Sequence, residues 1–149
     1  MVSTQGEGGE VTQTHEGGCL CGAVRYRVAG DPKIAGVCHC TFCKRRTGSA
    51  FGLSAYFDEA AVQITSGVLK TYEYRSDESN CWAKMEFCPT CGSTVTWTGE
   101  VLPGVRGIAV GIFDDPNWVK PKVHAWTRSA LHWMVFPPDV EIFKTTALK

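Results

Sequence analysis

Three thiols fall within six residues, at Cys38, Cys40 and Cys43, and a basic run, Lys44-Arg45-Arg46, follows them at once. Four more cysteines form two tight pairs, Cys19-Leu20-Cys21 and Cys88-Pro89-Thr90-Cys91, and Cys81 stands alone. Thiolates at such short spacing are metal ligands first, zinc foremost. The competing use of eight cysteines is a disulfide framework, which belongs to small secreted domains short of core. Here 44% of the residues are apolar, five of them Trp, so a core forms without cross-links. The opening stretch, "MVSTQGEGGEVTQTHEGG", lacks the apolar segment of a secretion signal. A reducing, cytoplasmic location is therefore expected.

Cys88-Pro89-Thr90-Cys91-Gly92 is a zinc-knuckle pattern: Pro89 stiffens the turn, and Gly92 can take the positive φ that points backbone N–H groups at sulfur. A knuckle needs a second pair of thiols, and two partitions supply one. Cys40 and Cys43 can join Cys88 and Cys91, leaving Cys19, Cys21 and Cys38 over. Alternatively Cys19 and Cys21 join Cys88 and Cys91 in a closed four-sulfur site, and Cys38, Cys40 and Cys43 form a three-sulfur site from one loop. The second partition uses each local cluster whole and strands only Cys81. It also matches zinc chemistry, in which three protein ligands with an open fourth position mark a catalytic ion.

These clusters must be held by strands. In "AVRYRV", Val24, Tyr26 and Val28 alternate with Arg25 and Arg27, the period of a half-buried strand. "FGLSAYF", "VLKTYEYR", "CWAKMEF", "STVTWTG", "IAVGIF", "VHAWT", "LHWMVF" and "VEIF" read the same way. Turn residues such as Gly30-Asp31-Pro32, Ser66-Gly67 and Pro103-Gly104 separate them. The pattern predicts a mainly β domain, sandwich or barrel-like. Helix is expected only just after Cys40 and at residues 58–61. Residues 1–16 are expected to form a flexible tail, and residues 17–149 a single domain.

"GGCLCGAVRY", "CHCTFCKRRTGSAF" and "FCPTCGSTV" occur in this order, with a later "VHAW…LHW". Together they resemble the signatures of the glutathione-dependent formaldehyde-activating (GFA) enzyme family, over about residues 17–135. The resemblance implies a β-rich, Mss4-like fold of short antiparallel sheets with two zinc ions. It implies structural zinc on Cys19, Cys21, Cys88 and Cys91, and catalytic zinc on Cys38, Cys40 and Cys43, in agreement with the second partition. The family's name-giving reaction joins glutathione and formaldehyde, which in formal terms is a carbon–sulfur lyase reaction. The signatures are mostly metal ligands, so the substrate itself does not transfer with them.

Zinc held by three thiolates carries a formal charge of −1 and is a weak Lewis acid, but it accepts a fourth thiolate readily. Such a site suits deprotonation of a substrate thiol and its addition to an aldehyde. Lys44, Arg45 and Arg46 can contact an anionic cofactor or substrate such as glutathione, or form a solvated basic run. His39, alternating with its cysteine neighbours on extended backbone, points away from the metal and serves a supporting or structural role. His124 and His132 are expected in the core or on the surface, His124 with the option of lining a pocket; His15 is expected in the tail. Cys81 is read as a buried free thiol and the aromatic residues as core.

Fifteen basic residues balance fifteen acidic ones. That neutrality argues against nucleic acid or membrane as a partner. Small-molecule thiol and aldehyde partners are expected instead. A zinc-stabilised module that binds a protein or nucleic acid is the alternative, and a redox protein using Cys40 and Cys43 the third reading.

Overall fold

The computed structural model describes residues 13–147. Strand β1 (Thr14–Gly18) pairs antiparallel with β2 (Arg25–Ala29), and β2 with β5 (Val62–Ser66), in a three-stranded sheet. The larger sheet holds eight strands in the order β11-β10-β3-β4-β9-β8-β7-β6. Its members are β3 (Ile34–Cys38), β4 (Gly52–Asp58), β6 (Lys70–Arg75), β7 (Trp82–Phe87), β8 (Thr94–Gly99), β9 (Val105–Ala109), β10 (Val123–Ala125) and β11 (Glu141–Ile142). Pairing is antiparallel except at one edge, where β10 runs parallel to both β3 and β11.

The alternation read in residues 24–28 is realised: Val24, Tyr26 and Val28 are buried, and Arg27 is exposed. They join Ala55, Phe57, Val95, Ile108 and Phe113 in one core, to which Cys19 and Cys88 also belong. Among the described residues helix is confined to one seven-residue α-helix, α1 (Thr41–Thr47), and single 3-10 turns, including Glu59–Ala61.

Two expectations are corrected. The first strand starts at Thr14, so Thr14, His15 and Glu16 are paired with β2, and the His15 ring stacks on Trp118 with centroids 3.7 Å apart. Residues 1–12 of the expected tail lie outside the described residues. The segment "LHWMVF" at 131–136 is not a strand. Trp133 and Val135 are 68% and 84% exposed, so its apolar alternation has no buried face to serve, and Pro137-Pro138 directly after it can donate no ladder hydrogen bond.

Candidate metal centres and an adjoining chamber

The four-sulfur cluster is built by two facing turns. One follows β1, where Gly22 at φ 83° closes the Cys19–Gly22 turn through its N–H to the Cys19 carbonyl. The other follows β7, where Gly92 at φ 80° donates to the Cys88 carbonyl over 2.8 Å. Ser93 ties the turns together, accepting at Oγ from Leu20 N–H at 3.1 Å. The Sγ atoms of Cys19, Cys21, Cys88 and Cys91 all lie within 4.8 Å of one another. Cys19 and Cys21 stand 3.6 Å apart, and Cys21 and Cys88 3.8 Å. Four sulfurs about 2.3 Å from a central zinc occupy corners about 3.8 Å apart, so these separations fit a tetrahedral ion. They are too long for a disulfide.

Backbone donors face the same sulfurs, as thiolates require: Val24 N–H to Cys19 at 3.2 Å and Thr90 N–H to Cys88 at 3.4 Å. The Val24 contact lowers the Cys19 pKa, and hydrogen bonds from Ser93 hold Cys91 down to about 5.

The three-sulfur cluster sits where β3 ends and α1 begins. Cys38 closes the strand, Cys40 is the helix N-cap and Cys43 lies in the first turn. Cys40 Sγ accepts from Cys43 N–H at 3.3 Å, where an oxygen-bearing cap is usual. These three sulfurs also lie within 4.8 Å of one another. Their mutual hydrogen bonds sort the charge: Cys38 and Cys43 hold the Cys40 thiol down to about 3, while Cys40 and Cys43, with burial, push Cys38 well above the usual thiol range. Three thiolates this close need a cation among them, so the donor set fits a thiophilic metal ion such as zinc.

Two imidazoles stand behind the trio. His39 is fully buried, and its Nε2 lies 2.9 Å from Nδ1 of His124 on β10. Burial, followed by the charges of His124 and Lys44, lowers the His39 pKa to about 4, and burial lowers that of His124. Phe51 and Phe136 set their ring edges against His39. Both imidazoles lie outside the wall of the chamber described next.

A chamber of about 470 Å³ opens over the trio, with Cys38, Cys40 and Cys43 in its wall. Strand register builds one side: Ile34, Tyr56, Gly107 and Trp97 lie abreast across β3, β4, β9 and β8. The Trp97 indole lies over Gly107, whose absent Cβ would stand 2.5 Å from Nε1, and donates to Ser54 Oγ at 3.2 Å. Tyr74, Trp82 and Trp126 add further aromatic wall. Burial raises the Tyr56 pKa above the usual phenol range, and the charges of Cys43 and Cys38 add to the rise, so its hydroxyl stays protonated.

The basic run divides. Lys44 Nζ donates to the Ser129 carbonyl at 2.6 Å and borders a separate, shallow recess with Arg128 and His132. Arg45 is exposed. Arg46 turns back beside Cys43: the Cys38 hydrogen bond and then the Arg46 charge favour the Cys43 thiolate, but Cys40 and burial outweigh them and push the thiol up to about 11. A Cβ on Gly52 would meet Arg46 Nη2 at 3.0 Å and Cys43 Sγ at 3.3 Å. None of the three lines the chamber. Cys81 is half-buried rather than buried, and it lines the chamber without joining either cluster. Trp82, Trp97 and Trp126, read as core from the sequence, are chamber wall. Gly107, a glycine inside a strand, was the signal that something large lies across it.

A mainly β domain bearing one four-sulfur and one three-sulfur cluster is a protein that could hold two metal ions, one of them at the edge of a cavity. The profile of the glutathione-dependent formaldehyde-activating enzyme family matches residues 14–129, and the chain belongs to that family. It is 25% identical over 127 residues to a Halomonas elongata protein provisionally named a glutathione-dependent formaldehyde-activating enzyme; the match covers 80% of this chain and 78% of that one. A crystal structure of a Rhodobacter sphaeroides protein superposes with a TM-score of 0.52 at 26% identity, over 71% of this chain and 91% of the other. Among the described residues no helix is long and apolar enough to cross a membrane.

Proposed function

We propose that this protein is a carbon–sulfur lyase of the two-zinc kind, joining a thiol to an aldehyde at the Cys38–Cys40–Cys43 cluster. The supporting observation is the placement of the two clusters. Four sulfurs lie between two turns at the edge of the core, Cys19 and Cys88 buried and Cys21 exposed, whereas three lie in the wall of a chamber large enough for a small molecule. Cys19, Cys21, Cys88 and Cys91 would hold a structural ion. Cys38, Cys40 and Cys43 would hold a second, which would supply the positive charge that favours a substrate thiol's ionised form.

The remaining steps fall to the chain's own residues. Arg46, beside Cys43, offsets the negative charge of the sulfur cluster. Tyr56 lines the chamber with its hydroxyl protonated; it gives that proton to the carbonyl oxygen as the carbon–sulfur bond forms and regains the proton that the thiol has released. The buried pair of His39 and His124 braces the junction between the strand that ends at Cys38 and the helix capped by Cys40. Glutathione and formaldehyde, the pair in the family's description, are the first substrates to test, with Lys44 and Arg45 as the cations outside the chamber that can meet glutathione carboxylates. A module that only binds a macromolecule has no use for such a chamber.

Exchange spectroscopy on zinc-loaded protein with glutathione and formaldehyde, then with other thiol–aldehyde pairs, tests the reading. Acceleration of S-hydroxymethyl adduct formation is expected; the absence of acceleration with every pair overturns it.

A further inference from the structure

Neither substrate in the family's description accounts for the chamber. Formaldehyde occupies the space of one or two waters, about 30 Å³ each, against a cavity of about 470 Å³. Glutathione carries two carboxylates, yet among the described residues no Lys or Arg lines this space. Among the described residues the acidic Glu78, which pairs with Arg128 at 3.4 Å, is the charged side chain in the lining apart from the cysteines. Arg128 itself lies over the Trp126 ring, its guanidinium carbon 5.0 Å from the centroid. Beside the cysteines and the hydroxyls of Ser76, Ser79, Thr145 and Thr146, most of the wall is aromatic and aliphatic, with Tyr56 and Trp97 edge to face at 5.4 Å and Phe42 stacked on Tyr74 at 4.6 Å. Carboxylates buried there without partners would cost several kcal/mol each, whereas a ring buried there gains stacking and apolar contact.

From this chamber, and resting on the reading of the trio as the reaction centre, we infer that one of the two reactants bears an uncharged apolar substituent of about aryl size. Both reactants can carry it, and the chemistry is the same. The S–H bond of the thiol breaks, sulfur bonds to the carbonyl carbon, the C=O π bond opens and the proton ends on the new hydroxyl. Nothing is oxidised or reduced.

Two thioethers with a common S-methyl end test the chamber apart from the reaction, since neither can add to a carbonyl. Benzyl methyl sulfide is expected to quench the fluorescence of the zinc-loaded protein, through Trp82, Trp97 and Trp126, at a concentration roughly tenfold or more below that needed for S-methylglutathione. Equal or tighter binding of S-methylglutathione overturns the inference. Val101, 43% exposed in the chamber wall, gives a variant that leaves the core intact. Val101→Arg is expected to narrow the preference by weakening the aryl ligand and strengthening the anionic one, and an unchanged preference overturns the placement of the ligand in this chamber. Two turnover arms then locate the substituent: phenylmethanethiol with formaldehyde, and glutathione with benzaldehyde. Acceleration of the first assigns it to the thiol, of the second to the aldehyde. If the thioethers behave as expected and no pair is accelerated, the proposed reaction falls and the chamber's selectivity stands. If glutathione with formaldehyde is accelerated and neither aryl pair is, the inference falls and the reaction stands.

Discussion

Nε2 of His39 and Nδ1 of His124 lie 2.9 Å apart, 85 positions distant in sequence, where the parallel pairing of β3 and β10 brings them together. His39 Nδ1 is buried without a partner. An orphaned N–H is rarer than an orphaned acceptor, so we assign the proton to Nε2, donated to His124. The hydrogen bond requires a neutral His124, and burial keeps His39 neutral as well.

That neutrality sets a pH dependence. The folded pKa of His39, about 4, lies below the ordinary value of 6.5, so between these limits the unfolded chain binds more protons than the folded one. The stabilisation is complete above about pH 6.5 and declines as the pH falls toward 4. The melting temperature of wild type should therefore drop across this window more steeply than that of His124→Phe. Parallel profiles for the two proteins would remove the pair from the acid response.

Gly52 is the position where one methyl group should separate the two clusters. Its missing Cβ leaves the space in which Arg46 and Cys43 meet. Gly52→Ala should weaken zinc retention at the trio roughly tenfold while costing about 1–3 kcal/mol of stability, the usual price of overpacking. Zinc competition with a chromophoric chelator, read beside a urea titration, checks both numbers. Unchanged zinc retention would mean that Arg46 does not help to hold the trio.

The trio at 38–43 and the two cysteine pairs were legible in the sequence because each is local, but spacing left open which pair joins Cys88 and Cys91. That Cys19 and Cys21 do so was implied by the family resemblance, since it depends on turns 67 positions apart. The strand alternation of residues 24–28 was legible for a similar reason, since Val24, Tyr26 and Val28 need only one buried face. The chamber was not. Tyr56, Trp97 and Cys81 reach it from different strands and loops, and only the register between β4, β9 and β8 sets Tyr56 and Trp97 abreast. Segment 131–136 shows the opposite failure: its apolar alternation looks like a strand, but no neighbour covers Trp133 or Val135.

Metal removal should proceed in two steps. Cys19 and Cys88 belong to the core, so releasing their ion opens the domain. Cys38, Cys40 and Cys43 face a chamber that a small chelator can enter. Two zinc ions per chain are expected at the start. One should leave early with circular dichroism unchanged, and the second should leave together with the β signal. Simultaneous loss of both, or a single ion in fully folded protein, would contradict the separate roles.

The two clusters should also part under mutation. Cys91→Ser weakens a site that joins residues 19–21 to residues 88–91 at the edge of the core, where a bound zinc would contribute folding energy of about 10–16 kcal/mol. A domain of this size has only about 5–15 kcal/mol of net stability, so losing even a third of that binding leaves little margin. Poor soluble yield or a melting temperature lowered by roughly 10 °C or more is expected. Cys43→Ser removes a ligand whose partners, Cys38 and Cys40, lie within five residues of it, so little of the fold depends on the ion they would hold. That variant should remain folded, keep about one zinc and lose thiol–aldehyde activity by a factor of roughly 10³ or more, as expected when a metal that positions the nucleophile is lost. Elemental analysis, thermal melts and exchange spectroscopy on the same preparations decide the matter. An unfolded Cys43 variant beside a folded, active Cys91 variant would reverse the roles given to the two clusters.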